Sequence, residues 1–358
     1  MNRSDLTEKT RELLIKHCKT HPELKINDIF KYIFQSSFGC EHSVSDERSA
    51  LEYIKREYEA LIHVAHPLVE SLDGEYSRVH LSCLNDGLSP DTLAKMFCLS
   101  AKNEPIGKTT LERKLRVAKE LVEKGELPFD SGSFKKSVEE WQRMGYPAIH
   151  HSNEYREKYR PAYRVIDNRY ADLLPILTEI DNRSRKGSLI MAIEGGSASG
   201  KTTLADILRQ IYDCNVFHMD DFFLRPEQRT PARFAEVGGN VDRERFYDEV
   251  LKPLLKNEAV RYRPYDCSAQ TLKEQITVYP KKLTVIEGAY SMHTAFGKYY
   301  DLSVFLDITP EHQRKRILLR NSPQLATRFF GEWIPFENEY FSATDIKKRT
   351  DLVMPVLE

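Results

Sequence analysis

At residues 195–202 the chain reads Gly195-Gly196-Ser197-Ala198-Ser199-Gly200-Lys201-Thr202, which fits the pattern G-x-x-x-x-G-K-[ST] at every fixed position. The apolar run 189–193 before it is typical of a strand, and residues 203–208 after it place apolar side chains at helical spacing. In that setting the glycines allow successive backbone N–H groups to surround a phosphate at a helix N-terminus. Lys201 is expected to reach the outer phosphates, and the Thr202 hydroxyl to ligate Mg²⁺. This loop, with Thr203 after it, predicts an ATP site with Mg²⁺ as cofactor.

The bulk composition excludes several classes of protein. The chain has 358 residues, of which 41% are hydrophobic and 30% charged, and a formal net charge of −1. That length predicts about two domains, and the charge balance gives no general attraction to nucleic acid or anionic membrane. Apolar runs are too short for a spanning helix, and the first residues lack the apolar core of a signal peptide. Six cysteines without a C-x-x-C pair favour free thiols. We therefore expect a cytoplasmic protein with no membrane partner.

The two halves of the chain have different periodicities. Up to about residue 185 apolar side chains recur at helical spacing, as at Ile26, Ile29 and Ile33, and no β-alternation competes. We predict a mainly α-helical accessory domain over residues 1–185, of unknown role. From residue 186 strand-like and helical runs alternate, which indicates a parallel sheet flanked by helices. Residues 186–358 are thus predicted to form an α/β P-loop NTPase domain. Its strands are placed at 189–193, 215–218, 283–286, 302–306 and 352–356, and its helices at 202–212, 242–255 and 311–320.

Two acidic segments follow predicted strands of this domain. His218-Met219-Asp220-Asp221-Phe222-Phe223 comes at the end of the second strand, where ligands of an open α/β sheet bind. An Asp there can accept a proton from a substrate hydroxyl or hold Mg²⁺ through water, although either Asp can also cap the next helix. The apolar run 283–286 ends in Glu287, a second carboxylate suited to holding metal-bound water.

Taken together, the motifs resemble the uridine kinase branch of the phosphoribulokinase/uridine kinase superfamily, over about residues 187–358. The segments that carry the resemblance, in the order and similar spacing of the family, are 195–203, 219–223, Gly239-Asn240-Val241-Asp242, Pro264-Tyr265-Asp266, Thr277-Val278-Tyr279-Pro280 and Ile286-Glu287-Gly288. The Asp-Asp-Phe-Phe run is also similar to nicotinamide riboside kinases. The resemblance implies an ATP-dependent phosphotransferase acting on a hydroxyl of a small metabolite.

The resemblance also implies roles for individual residues. Asp220 aligns with the general base of the family, and Lys201 and Arg320 are the other candidate catalytic residues. Asp242 aligns with an acid that binds ribose hydroxyls, with a helix cap as the alternative. Tyr265 aligns with an aromatic beside the nucleoside. The full set of candidate substrate-binding residues is Asp221, Asp242, Tyr265, Gln270, Arg316 and Arg328, and the candidate metal ligands are Thr202, Asp220 and Glu287.

The chain departs from uridine kinases in two places. Gln270 stands where those enzymes carry a His shortly after the Tyr-Asp pair. The lid segment reads Asn321-Ser322-Pro323-Gln324-Leu325-Ala326-Thr327-Arg328 and lacks an arginine-glycine-arginine cluster, which leaves Arg328 as its candidate arginine. The expected acceptor is therefore a nucleoside or another ribosyl or polyol compound, without uridine being specified.

We recognise no family resemblance in residues 1–185, but two places in them are rich in residues that can bind or react. Phe38-Gly39-Cys40-Glu41-His42, with His150-His151, suggests either a metal site or a turn with a core Cys. From Tyr155 to Arg164 arginines and tyrosines interleave, which suits a nucleotide, a phosphorylated metabolite or single-stranded RNA, or else an amphipathic stretch whose tyrosines pack. Pro161 predicts a helix that begins at Ala162.

These features leave a second hypothesis open, a nucleotide-switched ATPase whose helical half binds RNA or a protein. A switch needs water positioning, whereas a kinase needs a base and a group that binds an acceptor hydroxyl. Asp220 and Asp242 supply the second set, so a small-molecule substrate is favoured over a nucleic-acid partner. A homo-oligomer stays open.

Overall fold

The computed structural model describes residues 3–40, 46–61, 67–101 and 107–356. Contacts divide the chain into two compact units, Met1–Thr178 and Glu179–Glu358. Across the described ranges no helix combines the length and the apolar character that membrane crossing requires.

The first unit is rich in helices, as its periodicity predicts. Ser89 caps one of them by accepting a hydrogen bond from the backbone N–H of Thr92, with Pro90 at the first helical position. Phe30 stacks on Trp141 with ring centroids 4.8 Å apart inside the core. The helices that begin in this unit are α1 (Arg3–Thr20), α2 (Ile26–Phe38), α3 (Glu47–Glu59), α4 (Pro90–Ser100), α5 (Lys108–Glu123), α6 (Ser131–Arg143), α7 (Asn153–Tyr159), α8 (Asn168–Ala171) and α9 (Leu174–Ser184).

A small antiparallel sheet in the first unit has no counterpart in the sequence analysis. It consists of β1 (Val69–Ser71), β2 (Tyr76–His80) and β3 (Tyr163–Asp167), in the order β1-β2-β3. All five residues of β2 are buried, so the alternation that marks a half-exposed strand is absent. The helix predicted from Ala162 is wrong, because β3 pairs with β2 there. Pro161 fixes φ near −65°, which an extended chain also tolerates, and cross-strand pairing then determines the conformation.

The two chemistry-rich places of this unit contribute to packed polar contacts. His151 Nδ1 lies 2.9 Å from Asp28 Oδ1, and the His151 ring stacks on Tyr155 at 4.1 Å. Tyr159 packs edge-on against His21, and Arg164 pairs with Glu57 at 2.8 Å. These contacts match the packing interpretation of the Tyr/Arg stretch. The hypothesis of a metal site at Cys40 stays a prediction, because Glu41 and His42 lie outside the described residues.

A buried arginine links the sheet of the first unit to α2. Arg78 on β2 has no exposed surface, and its Nε and Nη2 donate to Gln35 Oε1 at 3.0 and 2.8 Å. Its Nη1 donates to Glu70 Oε2 at 3.2 Å, and His17 Nδ1 lies 3.0 Å from the same carboxylate. Burial opposes ionisation of Glu70, but Arg78 and the neighbouring histidines hold its pKa well below the usual range.

Removing the Arg78 guanidinium should strongly destabilise this unit. Arg78→Met removes the charge that faces the Glu70 carboxylate and the two hydrogen bonds to the Gln35 amide oxygen, which costs about 3–5 kcal/mol of unfolding free energy. In a Trp333→Phe background Trp141 is the remaining tryptophan, so its fluorescence during urea unfolding reports on this unit.

Arg116→Met is the matched control, because Arg116 is an exposed residue of α5. Its free energy of unfolding should stay within about ±0.5 kcal/mol of wild type, the range of ordinary surface substitutions. Equal shifts for the two variants would contradict a structural role for the buried ion pair.

The second unit alternates strands and helices. Its strands are β4 (Leu189–Gly195), β5 (Cys214–His218), β6 (Val260–Tyr262), β7 (Tyr265–Asp266), β8 (Thr271–Leu272), β9 (Ile276–Val278), β10 (Leu283–Glu287), β11 (Leu302–Asp307) and β12 (Leu352–Pro355). Its helices are α10 (Lys201–Ile211), α11 (Pro231–Phe234), α12 (Arg243–Phe246), α13 (Lys252–Leu255), α14 (Pro310–Arg320), α15 (Pro323–Arg328), α16 (Ile334–Ala343) and α17 (Ile346–Arg349). One π-helical turn, Tyr247–Leu251, joins α12 to α13, and another, Phe329–Trp333, joins α15 to α16.

Five parallel strands form the central sheet, in the order β12-β11-β4-β10-β5. These are the five strands predicted from the apolar runs, and the flanking helices confirm the P-loop NTPase fold class. The register pairs Glu287 of β10 with Ile193 of β4 on one side and with His218 of β5 on the other. The ends of these three strands therefore meet at one edge, and the segments that follow them lie side by side.

Candidate active site

The Gly-rich loop connects β4 to α10 and curls back on itself. Lys201 Nζ donates to the carbonyl oxygens of Gly195 at 2.9 Å and Gly196 at 3.0 Å. Gly195 has φ +147°, and a Cβ there would lie 2.7 Å from the carbonyl oxygen of Leu306 in the adjacent β11. Only glycine fits that position, because the neighbouring backbone cannot retreat without breaking the sheet.

Two carboxylates stand at the ends of the strands beside the loop. Glu287 Oε1 accepts a hydrogen bond from Thr202 Oγ1 at 3.0 Å and lies 2.5 Å from His218 Nδ1. The hydrogen bond to Glu287 raises the pKa of His218. Asp220 follows β5, and its close protein surroundings raise the pKa of its carboxyl, while Lys201 nearby opposes that shift.

Thr202, Asp220 and Glu287 present oxygen atoms of the kind that Mg²⁺ prefers. Among the described residues no group of three or more His, Cys, Asp or Glu side chains is arranged to hold a metal. This arrangement fits an ion held largely by phosphates and water, as Mg²⁺ is when it accompanies a nucleotide.

A cavity of about 710 Å³ opens above the loop. It contains Lys201 and both carboxylates. The predicted site residues that line it are Ser197, Ala198, Gly200, Lys201, Thr202, Thr203, Asp220, Gln270, Glu287, Arg320 and Arg328. The predicted residues outside that lining are Gly195, Gly196, Ser199, Asp221, Asp242, Tyr265 and Arg316. The structure thus brings the candidate catalytic residues together and places part of the candidate substrate-binding set behind the cavity surface.

Asp242 lies behind the cavity surface with its carboxylate already engaged. It is 2% exposed and caps α12 by accepting from the backbone N–H of Arg245 at 3.2 Å. It also accepts from Gln228 Nε2 at 3.0 Å and lies 3.5 Å from Arg245 Nε. These contacts match the helix-cap alternative, and the role in binding a diol stays a prediction.

The other recessed candidates also have protein partners. Asp221 Oδ2 accepts from the Tyr262 hydroxyl at 3.3 Å, and Arg316 Nη1 donates to the carbonyl oxygen of Ala198 at 3.3 Å. Tyr265 is 4% exposed, and its hydroxyl accepts from Arg229 Nη2 at 2.8 Å. Arg229, and not Tyr265, is therefore the member of this pair that faces the cavity.

Comparison with known proteins finds similarity within the second unit. Residues 190–324 match the model of the Phosphoribulokinase / Uridine kinase family. A uridine kinase of Staphylococcus aureus (strain JH9) is 23% identical over 186 residues, which cover 48% of this chain and 88% of that protein. A solved structure described as a possible uridine kinase from Bacillus stearothermophilus is 23% identical, with coverage of 50% of this chain and 99% of that one and a TM-score of 0.39. The family resemblance drawn from the motifs is confirmed for this segment, and residues 1–185 stay unassigned.

Glu337 contacts the Gly-rich loop, and the sequence motifs did not reveal this contact. Glu337 of α16 accepts from the backbone N–H of Ser197 at 2.8 Å and from its hydroxyl at 2.6 Å. Burial raises the pKa of Glu337, and Lys201 nearby opposes the shift. One turn later, the Tyr340 hydroxyl donates to Glu194 Oε1 at 2.9 Å. Because Glu337 is 140 positions from Ser197, no local sequence pattern could have connected them.

The helical segment of residues 323–343 also closes one side of the cavity. Arg328 Nη2 lies 3.2 Å from Glu332 Oε2, and its guanidinium stands 4.9 Å from the centroid of the Trp333 ring. The aromatic residues that line the cavity are Phe223, Phe234, Tyr290, Phe329, Trp333 and Phe336. The cavity thus combines a charged end at the loop with an aromatic wall.

Gly195 in the loop and Gly331 in the π-helical turn Phe329–Trp333 form a matched pair for substitution, because the first is crowded and the second is not. Gly195→Ala should lower both the affinity for ATP and the unfolding midpoint, because its Cβ would press on Leu306 and its φ is strained, at a cost of about 1–3 kcal/mol. Gly331→Ala meets no atom within 4 Å and lies in a helical turn, so it should be neutral or slightly stabilising.

Titration with ATP and urea unfolding would measure both effects, with Trp333 as the reporter in a Trp141→Phe background. Equal losses in the two variants would show that the close contact at Leu306 is not the constraint.

Proposed function

We propose that the second unit transfers the γ-phosphate of ATP to a hydroxyl group of a small metabolite, a nucleoside or another ribosyl or polyol compound. The observation that carries this proposal is that one cavity unites Lys201, Thr202, Asp220 and Glu287 from the ends of three neighbouring strands. The family match of residues 190–324 supports a P-loop kinase.

The geometry supports a specific division of labour. The loop N–H groups and the Lys201 ammonium bind the phosphates, for which Lys201 turns away from the carbonyls of Gly195 and Gly196. Asp220 accepts the proton of the acceptor hydroxyl as its oxygen attacks the γ-phosphorus and the bond to the β-phosphate oxygen breaks. Arg320 and Arg328 neutralise charge on the transferring group. Mg²⁺ neutralises phosphate oxygens when bound with ATP, and Thr202, Asp220 and Glu287 are the residues that would hold it.

The alternative, a nucleotide-switched ATPase, has less support in the site. A switch has no need of a carboxylate next to the acceptor space, whereas Asp220 lines the cavity together with Lys201. We propose that residues 1–185 form an accessory domain to the kinase domain of residues 186–358, that the protein acts in the cytoplasm, and that its partner is a small molecule.

A screen of nucleosides, sugars, polyols and vitamins for ATP-dependent gain of one phosphate by mass spectrometry tests the proposal. With the acceptor so found, Lys201→Ala should lose several orders of magnitude in turnover while its unfolding midpoint stays near wild type. Near wild-type turnover in this variant would refute a P-loop kinase.

The neighbouring aspartates provide an internal control for the base. Asp220→Asn should reduce kcat by about 10²-fold or more, because it removes the carboxylate that accepts the proton of the acceptor hydroxyl. ATP binding should stay largely intact, because the loop, Lys201, Thr202 and Glu287 are unchanged. Asp221→Asn should have a milder effect, since Asp221 faces Tyr262. The reverse ranking would assign the base to Asp221.

The pH dependence checks the same assignment. Because the pKa of Asp220 is raised by its surroundings in the free protein, the acid limb of kcat/KM should lie above the ordinary range of an aspartate. Activity should fall as pH drops through that raised value, where the base becomes protonated.

A further inference from the structure

Three side chains form one wall of the cavity, which we call the hairpin wall: Arg229, Cys267 and Gln270. Cys267 and Gln270 belong to the turn between β7 and β8, whose strands pair Tyr265 with Leu272. Arg229 is joined to the same hairpin through the Tyr265 hydroxyl. The wall therefore combines one short hairpin with the arginine anchored on it.

Two anchors hold the Arg229 guanidinium in a defined orientation. Its Nε donates to the carbonyl oxygen of Leu224 at 3.0 Å, and its Nη2 donates to the Tyr265 hydroxyl at 2.8 Å. In the part of the chain that the structure describes, Nη1 donates to no atom and no carboxylate pairs with Arg229. The guanidinium thus presents its remaining donors at the cavity without a neutralising partner.

The hairpin turn adds donors to this wall while its own acid is engaged elsewhere. Asp266 Oδ1 accepts from the backbone N–H groups of Ser268 at 2.8 Å and Ala269 at 3.0 Å, and Asp266 Oδ2 lies 3.5 Å from Lys273 Nζ. Gln270 has φ +54°, a left-handed conformation that a glutamine adopts at some cost in free energy. The strained turn displays an amide and a thiol to the cavity and no carboxylate.

The remaining charges of the cavity are already accounted for. Glu287 contacts His218 and Thr202, and Glu332 pairs with Arg328. Glu337 accepts two hydrogen bonds from Ser197. Asp220 is the proposed base, and Lys201, Arg320 and Arg328 serve the phosphates of ATP. Arg229 is the cation of the cavity lining that neither this chemistry nor a protein carboxylate uses.

We propose that the acceptor carries, besides the hydroxyl that is phosphorylated, an anionic group that Arg229 binds, either a carboxylate or a phosphate. A guanidinium can donate hydrogen bonds to the oxygens of either a carboxylate or a phosphate. These charge-assisted hydrogen bonds are strong in a partly enclosed site. This inference rests on the proposed kinase function and specifies its substrate class. Arg229 acts as the specificity-determining residue, with Gln270 as an additional donor.

The test compares acceptors in matched pairs that differ in the anionic group. Orotidine against uridine and gluconate against sorbitol probe a carboxylate, and ribose 5-phosphate against ribose probes a phosphate. Each is incubated with the full-length protein and Mg-ATP, and phosphate transfer is followed by mass spectrometry. Binding of each compound is measured in parallel by calorimetry with Asp220→Asn, which retains Arg229.

Three variants isolate the guanidinium. Arg229→Met removes the charge at similar volume, and Arg229→Lys retains the charge but loses the fork geometry. Arg261→Met is the matched control, because Arg261 is an exposed residue of β6 outside the cavity lining. Circular dichroism and the unfolding midpoint show whether the Arg229 variants keep their fold.

We expect the anionic member of at least one pair to be the better acceptor. Arg229→Met should raise KM for it by about 10- to 100-fold, the loss expected for hydrogen bonds to a charged group. The KM for ATP should not change, and activity with the neutral member should change by less than about 3-fold. Arg229→Lys should fall between, and Arg261→Met should match wild type.

Preference for the neutral member in all three pairs, or an equal loss for both members in Arg229→Met, would overturn the inference while the kinase function stands. Arg229-dependent binding of an anionic compound without phosphate transfer would support anion binding by Arg229 and contradict the proposed function. Neither binding nor transfer with any anionic compound would overturn the inference.

Discussion

The parallel register of β4, β10 and β5 is the constraint on which the site depends. It sets Glu287 beside Ile193 and His218, so the loop after β4 and the acidic segment after β5 converge at one edge. The glycine at 195 belongs to the same constraint, because its lack of a side chain lets the loop pass the backbone of β11. A one-residue shift of β10 would place Glu287 on the opposite face of the sheet and separate it from Thr202.

Around this edge, the loop is held by residues from distant parts of the chain. Glu337 and Tyr340 of α16 reach Ser197 and Glu194, and Gln313 of α14 donates to the carbonyl oxygen of Ser197 at 3.0 Å. The helical segment that carries Arg328 is thus continuous with the helix that contacts the loop. Because α15 and α16 lie on one nearly continuous helical segment, a shift of that segment would move Glu337 and so change its contact with the loop at Ser197.

Under the proposed function, the acceptor side of the cavity is built differently from the side formed by the Gly-rich loop. It uses a short hairpin with a left-handed glutamine and an arginine held by a buried tyrosine. Residues in such a hairpin can be substituted without disturbing the sheet, because loops tolerate substitution better than the strands they follow. Under the proposed function, this separation would let the unit keep the motifs of the matched family while its acceptor differs.

The sequence by itself determined the phosphate loop, the five parallel strands, the helix-rich first unit and the acids at the strand ends, because these depend on local patterns: glycine spacing, apolar runs and helical periodicity. The tertiary structure alone decided that Tyr265 stands behind Arg229 and that Glu337 reaches Ser197. It also decided that residues 163–167 form a strand and that β2 is buried throughout. In each case the outcome depends on which distant residue is adjacent, and local periodicity carries no information about a partner tens of residues away.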